Sequence, residues 1–291
     1  MEELVYLNGD LIPSSQARLS PFDHGFLYGY GLFETMRSYD NFIFRLHRHL
    51  ARLNQSAQML GIAPRIVPFN LEEACHDILV ANNLSEARIR ITITAGEGDI
   101  VPDPATCHGA TIFIVARKLT PLPSEIYERG FKTVLSSWRR NAQSPLSHLK
   151  SSCYLESVLA RAEARAAEND EALLLNESGF ITEGSTSNIF LVFGETLVTP
   201  SIASGALPGI TREAILELAE SLGTKITERD VKTEELTKAD EAFVTNSILE
   251  VMPVTQFSDK PVGTGKPGML TQKLMQAYKE LVDKERQTSS R

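Results

Sequence analysis

The amino-acid sequence predicts an α+β fold divided into two domains, and three observations carry that expectation. Strand-like runs rich in β-branched residues mix with amphipathic helical runs, without the strict strand–helix–strand rhythm of a doubly wound sheet. The 291 residues suffice for two medium domains. At such a length roughly 75% of the unfolded chain's surface can be buried, so the core needs no staples. Finally, "TPLPSEIYERG" carries two prolines and no clear period, and reads as a linker near 119–130. Domains over 1–118 and 131–291 follow.

Taken in order, "LVYLNGDLI" alternates around Asn8-Gly9, a two-residue hairpin signal. "FIFRLHRHLARLNQSAQMLG" starts as a strand and becomes a helix: Leu46, Leu50, Leu53, Ala57 and Leu60 share one face, and Gly61 ends the run. "NLEEACHDILVANN" reads as a second helix, and "ARIRITITAG" and "ATIFIVARKL" as strands. Beyond the linker come strands at "FKTVLSSW", "EALLLN", "FITEG", "NIFLVF" and "TLVTP", then a helix at "ITREAILELAESLG". Strands at "KITERD" and "EAFVTN" precede a last helix over 269–284.

The composition excludes several classes. A formal net charge of -8 and the lack of a long basic run argue against nucleic-acid or anionic-membrane partners. No apolar run approaches a membrane span or a signal core. Three cysteines, at 75, 107 and 153, with no CxxC spacing fit a reducing cytoplasm. "GTGKPG" matches a nucleotide-loop pattern in letters, but Pro267 sits inside it and no βαβ unit can follow. His47 and His49 are two apart on a helix, a poor metal pair, and read as solvated or capping histidines. No cysteine has a convincing histidine partner in sequence, which removes the usual thiol hydrolases.

One lysine stands out. In "SPLSHLKSSCYLESVLARAEA", Leu155, Val158, Leu159, Ala162 and Ala166 form a helical stripe that Ser151 or Ser152 can cap. Lys150 then sits just before a helix N-terminus, whose positive end favours a neutral, nucleophilic amine. "FITEGSTSN" ends a short strand in Glu183 and follows it with Gly-Ser-Thr-Ser-Asn, small hydroxyl residues including Ser187 and then the amide of Asn188. A lone carboxylate there can pair with a heterocyclic nitrogen. "LPGITREAILEL" opens a helix at Gly209, Ile210 and Thr211 and offers free amides to an anion. "FVTNSILEVMP" adds a second small-hydroxyl turn. An amine, a carboxylate for a pyridinium and two phosphate-cradling turns are the groups that pyridoxal phosphate requires.

With these motifs the sequence resembles the class IV, or fold type IV, pyridoxal-phosphate enzymes, over nearly its whole length. That family holds branched-chain and D-amino-acid aminotransferases, (R)-amine transaminases and 4-amino-4-deoxychorismate lyases. "LSPFDHGFLYGYGLFETMRSYD" resembles the family's N-terminal signature, and "HLARL" the helix whose arginine, here Arg52, reaches the phosphate. The resemblance implies that Lys150 is the Schiff-base lysine, that Glu183 pairs with the pyridine nitrogen and that Leu207 lies beneath the ring. It places Gly209, Ile210, Thr211, Asn246 and Ser247 at the phosphate and gives Tyr154 a hydrogen bond to the ring's phenolic oxygen. It also implies a smaller N-terminal and a larger C-terminal domain with the cofactor between them, in a homodimer.

For the reaction, Arg88 and Arg90 alternate on "ARIRI" and share a strand face, which suits carboxylates. By resemblance Arg90 and Tyr28 belong to the substrate pocket. Ala95 stands where D-amino-acid aminotransferases carry an arginine. "LSPFDHGFLYG" and "TNSILEVMPV", with Asn246, look closest to the aminodeoxychorismate lyases. The expected reaction is therefore release of pyruvate and 4-aminobenzoate, with Thr35 relaying a proton. An aminotransferase acting on branched-chain or D-amino acids or (R)-amines is the alternative.

Overall fold

The computed structural model describes residues 2–289. The chain divides into two compact units. One runs through Thr120 and takes back Leu149–Cys153, and the other holds Pro121–His148 and Tyr154–Gln287.

The first unit is an antiparallel sheet of β1 (Leu4–Leu7), β2 (Asp10–Pro13), β3 (Gly31–Tyr39), β4 (Phe42–Ile43), β5 (Ala87–Thr94) and β6 (Thr111–Lys118). Its order is β2-β1-β6-β5-β3-β4. The β1–β2 hairpin closes on Asn8 and Gly9, both at positive φ, 52° and 111°, a conformation that Asn and Gly tolerate best. Strict alternation sends Ile89, Ile91 and Ile93 of β5 and Ile112 and Ile114 of β6 into the core. Helices α1 (His24–Tyr28), α2 (Leu46–Met59), α3 (Ala63–Ile66) and α4 (Leu71–Ala81) complete the unit. Leu46, Leu53 and Ala57 of α2 and Cys75, Ile78 and Leu79 of α4 join the same core.

The second unit is a mixed ten-stranded sheet. Its strands are β7 (Phe131–Arg140), β8 (Glu171–Asn176), β9 (Phe180–Gly184), β10 (Asn188–Phe193), β11 (Thr196–Pro200), β12 (Lys225–Arg229), β13 (Val231–Lys232), β14 (Glu241–Asn246), β15 (Glu250–Phe257) and β16 (Lys260–Pro261). They run β12-β11-β10-β14-β15-β7-β8-β9-β13, with β16 paired to β15. The helices are α5 (Ser124–Arg129), α6 (Leu155–Ala166), α7 (Ile210–Ser221), α8 (Thr233–Leu236) and α9 (Met269–Ser289). β8 is buried along its whole length, as its near-continuous apolar run requires.

Three expectations change. The proline-rich stretch is not a bare linker: it holds α5 and belongs to the second unit from Pro121 onward. β3 and β15 were not anticipated. Polar Glu34 and Ser38 interrupt the apolar period of β3 because both lie on its buried face with partners of their own. Ser38 Oγ donates to the Ser85 carbonyl and accepts from the Ala87 amide, at 2.8 and 2.9 Å. Helix α6 begins only at Leu155, without a serine cap. Leu155 and Val158 of the expected stripe are exposed, while Ser157, Ala160 and Ala164 are buried. The two alanines face Ala172, Leu174 and Val134 of β8 and β7.

The "GTGKPG" segment has a structural use. Gly268 precedes α9, and a Cβ there would overlap the Glu241 side chain. Glu241 reaches across from β14 to accept from the Leu270 and Thr271 amides and the Thr271 hydroxyl, at 3.0, 2.8 and 2.7 Å. A carboxylate thus satisfies the orphan donors of a 21-residue helix at its positive end. Glu241→Ala is expected to lower stability by about 1–3 kcal/mol, read as a lower urea midpoint with α9 fraying first in hydrogen exchange.

Candidate active site

The predicted site residues fall into two groups, one on each unit. In the first unit, residues 149–153 add to the open edge of β3. The Phe33 amide donates to the Lys150 carbonyl at 2.9 Å, Ser152 N donates to the Gly31 carbonyl at 2.9 Å, and Ser151 bridges Leu32. Extended alternation then sends Leu149 into the core and Lys150 to the opposite face. This corrects the helix-end reading. Lys150 belongs to the first unit and to a sheet edge, five residues ahead of α6, so its setting comes from β3. Its Nζ lies 4.6 Å from the Phe33 ring centre, and the Arg90 guanidinium stacks on the same ring at 3.7 Å.

On the core side, a carboxylate that the sequence reading passed over organises the cluster. Glu34 is 1% exposed. It accepts from Arg52 Nε and Nη2 at 2.8 and 2.7 Å and from His49 Nδ1 at 2.7 Å. Arg52 and His49 are three apart on α2 and therefore face β3 together. His49 is neither solvated nor a cap, contrary to expectation; burial pushes its imidazole down, so it serves Glu34 as a neutral donor. Burial alone would raise the Glu34 carboxyl, but the Arg52 charge and the His49 and Arg52 hydrogen bonds hold it at about 2. Arg52 is thus oriented by a bidentate pair. The sequence signals were an acidic residue in an apolar run and a His–Arg pair at i, i+3.

The sheet face that carries Lys150 also carries cations in rows. Thr35 pairs across to Arg90, and Arg37, Arg88 and Arg117 stand in register on β3, β5 and β6. Arg37 approaches Glu86 at 3.7 Å, and Arg117 pairs with Glu3 at 2.9 Å. The Arg88 side chain is exposed and has no hydrogen bond or ion pair among the described residues. Tyr28 closes the short helix α1 and packs edge-to-face on His24.

In the second unit, Glu183 at the end of β9 is buried and bound from three sides. It pairs with Arg140, accepts from the Leu207 amide at 2.9 Å and from Asn188 Nδ2 at 3.2 Å. Arg140, at the end of β7, was missed; its only signal was a second arginine closing a strand. Asn188 also donates to the Leu207 carbonyl at 2.8 Å. Tyr154 donates its hydroxyl to the Ser185 carbonyl at 3.2 Å, and burial followed by the Glu183 charge raises its pKa, so the phenol stays protonated. Ser187 donates to the fully buried Glu171 at 2.9 Å, and Ser185 bonds the same carboxylate. Asn246 shapes its own turn, accepting from Ile248 and Leu249 amides at 2.9 and 2.8 Å and donating to the Thr186 carbonyl at 3.1 Å, with Ser247 beside it. Helix α7 starts at Ile210 and Thr211 on Gly209, which offers no side-chain cap, and a Cβ at 209 would overlap Asn188 Oδ1. The first-turn amides are therefore open to an anion.

A family model described as amino-transferase class IV matches residues 31–257. The chain belongs to that family. It is 37% identical over 278 residues to a putative branched-chain-amino-acid aminotransferase of Methanocaldococcus jannaschii, covering 95% of this chain and 96% of that one. It is 35% identical over 279 residues to the aminodeoxychorismate lyase of Bacillus subtilis, covering 95% and 94%. Among solved structures, the branched-chain amino acid aminotransferase from Thermobaculum terrenum in its PLP-form superposes with a TM-score of 0.83 at 30% identity, covering 97% of this chain and 94% of that one. The fold is the two-domain type IV architecture, and the cofactor of this class IV enzyme is pyridoxal 5'-phosphate.

The residues present fit that cofactor. The uncapped start of α7 suits a phosphate, and the buried Glu183 carboxylate, paired with Arg140, suits a pyridine nitrogen.

The Glu34 cluster makes a pH prediction. A carboxyl depressed from 4.5 to about 2 contributes stability that is complete above 4.5 and lost as pH falls toward 2. Urea midpoints are expected to drop over that window. In Glu34→Gln the slope flattens, and about 3 kcal/mol is lost at neutral pH because Arg52 loses its buried partner.

Proposed function

We propose that this class IV enzyme is an aminotransferase in which the amino donor or the 2-oxo acid acceptor carries a second carboxylate. The observation that carries the proposal is the register of Arg37, Arg88 and Arg117, with Arg90 one step along the same face. Like charges directly opposite one another on neighbouring strands are unfavourable. Arg37 and Arg117 each have a glutamate; the solvent-facing Arg88 guanidinium is the one left for a ligand, in the planar geometry that carboxylates match.

In this proposal Lys150 would hold the cofactor and would move a proton to and from the substrate carbon. The cofactor supplies an electron sink. Glu183, held by Arg140, Asn188 and the Leu207 amide, would meet the pyridine nitrogen. Arg52, Ile210, Thr211 and Ser247 take the phosphate, and Tyr154 the phenolic oxygen. Arg88 and Arg90 fix the substrate carboxylates and Tyr28 borders them. A homodimer in the cytoplasm belongs to the same proposal; among the described residues no helix is long and apolar enough to cross a membrane.

The second reading is aminodeoxychorismate lysis, with Thr35 relaying a proton. The Asn246–Ser247 turn and a substrate with two carboxylates favour it. The relatives' names lean to transamination, which is why that reaction stands first here.

Both are separable. With L-glutamate and 2-oxo-4-methylpentanoate the holoenzyme is expected to form leucine, whereas pyruvate plus 4-aminobenzoate from aminodeoxychorismate would favour the lyase. Arg88→Ala is expected to raise KM for a dicarboxylate about 10- to 100-fold, the loss of one charged hydrogen-bonded pair, and to leave a monocarboxylate unaffected. Borohydride reduction is expected to mark the Lys150 peptide, and Lys150→Ala to abolish both mark and turnover.

A further inference from the structure

The structure pairs a thiol with an imidazole, a pairing the sequence did not show. Cys107 Sγ lies 3.1 Å from His24 Nδ1, across 83 residues of chain. The other ring nitrogen, Nε2, lies 2.7 Å from the Asp99 carbonyl. A carbonyl only accepts, so Nε2 donates to it, and in that tautomer Nδ1 is an acceptor. The Cys107 S–H therefore donates to His24. The ring is held on a further side by its edge-to-face contact with Tyr28 at 5.0 Å. A Cβ at Gly98 would overlap Nε2, so the loop backbone passes close against the ring there. Nucleophile, base and a group that fixes the base's tautomer are thus in line.

We propose that Cys107 is a His24-activated thiol and a site of oxidation by hydroperoxides. As its sulfur attacks one peroxide oxygen, the S–H proton passes to His24 Nδ1. An S–O bond forms and the O–O bond breaks; the leaving hydroxide takes the proton from His24 and departs as water. Sulfur is oxidised to a sulfenic acid and the peroxide is reduced, so one thiol and one hydrogen peroxide give one sulfenic acid and one water. Access is short. Cys107 is 5% exposed, and residues 99–105 and His108, on either side of it, are on the surface.

The two other cysteines provide internal standards. Cys75 is also buried, has no imidazole, and burial pushes its thiol up to about 12. Cys153 is exposed, and its sulfur faces the Tyr28 and Gly29 carbonyls.

The test treats the full chain with limiting hydrogen peroxide in the presence of dimedone and quantifies the three cysteine peptides by mass spectrometry. Cys107 is expected to be labelled about tenfold faster than Cys75. His24→Gln is expected to bring Cys107 down to the Cys75 rate with Cys153 unchanged. Equal labelling of Cys107 and Cys75 in the unaltered chain overturns the proposal, as does an undiminished Cys107 rate in His24→Gln. The first comparison needs no variant, so it decides even where His24→Gln folds poorly.

Discussion

A charged carboxylate can be buried only when its oxygens are filled by donors, and that constraint organises the site residues of each unit. Glu34 takes Arg52 and His49. Glu183 takes Arg140, Asn188 and the Leu207 amide. Glu171 takes Ser185, Ser187 and the amide of Ala172. Each carboxylate thereby fixes the residues around it. Glu34 aims an arginine, Glu171 pins the turn that follows β9, and Glu183 is itself held at the end of that strand. The buried charges are costly to place, and what they return is orientation.

The second organising fact is the excursion of residues 149–153. The chain leaves the second unit for five residues, pairs with the free edge of β3, and returns. An unpaired strand edge is a liability, and this pairing covers it. It also sets Lys150 by backbone hydrogen bonds, a more rigid anchor than a flexible loop. A lysine placed by a helix end would turn with that helix, whereas this one is registered to Phe33 and so to the sheet that carries Thr35 and Arg90.

Much of the fold was legible because its periods are regular. β5 and β6 alternate cleanly, α2 and α4 carry one apolar face, and Asn8-Gly9 closes the first hairpin as its letters suggest. The motifs that point to the cofactor are local and were read as such. Legibility failed where tertiary contacts override the pattern. β3 was hidden because Glu34 and Ser38 place polar groups on a buried face. The α6 stripe was misplaced because close packing on β7 and β8 selects Ala160 and Ala164 over the larger Leu155 and Val158. Arg140 lies 43 residues from Glu183, and no periodicity relates them.

The histidines make the same point. His49 looked like a surface residue and is a buried donor; His24, in a signature stretch, turned out to hold a cysteine 83 residues away. In both cases a single hydrogen bond decides the tautomer, and the tautomer decides the role. Glu34 can only accept from His49, so Nδ1 carries the proton there; the Asp99 carbonyl can only accept from His24, so the proton is on Nε2 and Nδ1 is left open. The two imidazoles therefore act in opposite senses within one unit. His49 uses its proton to hold a carboxylate, and His24 is left with the lone pair that a thiol can use.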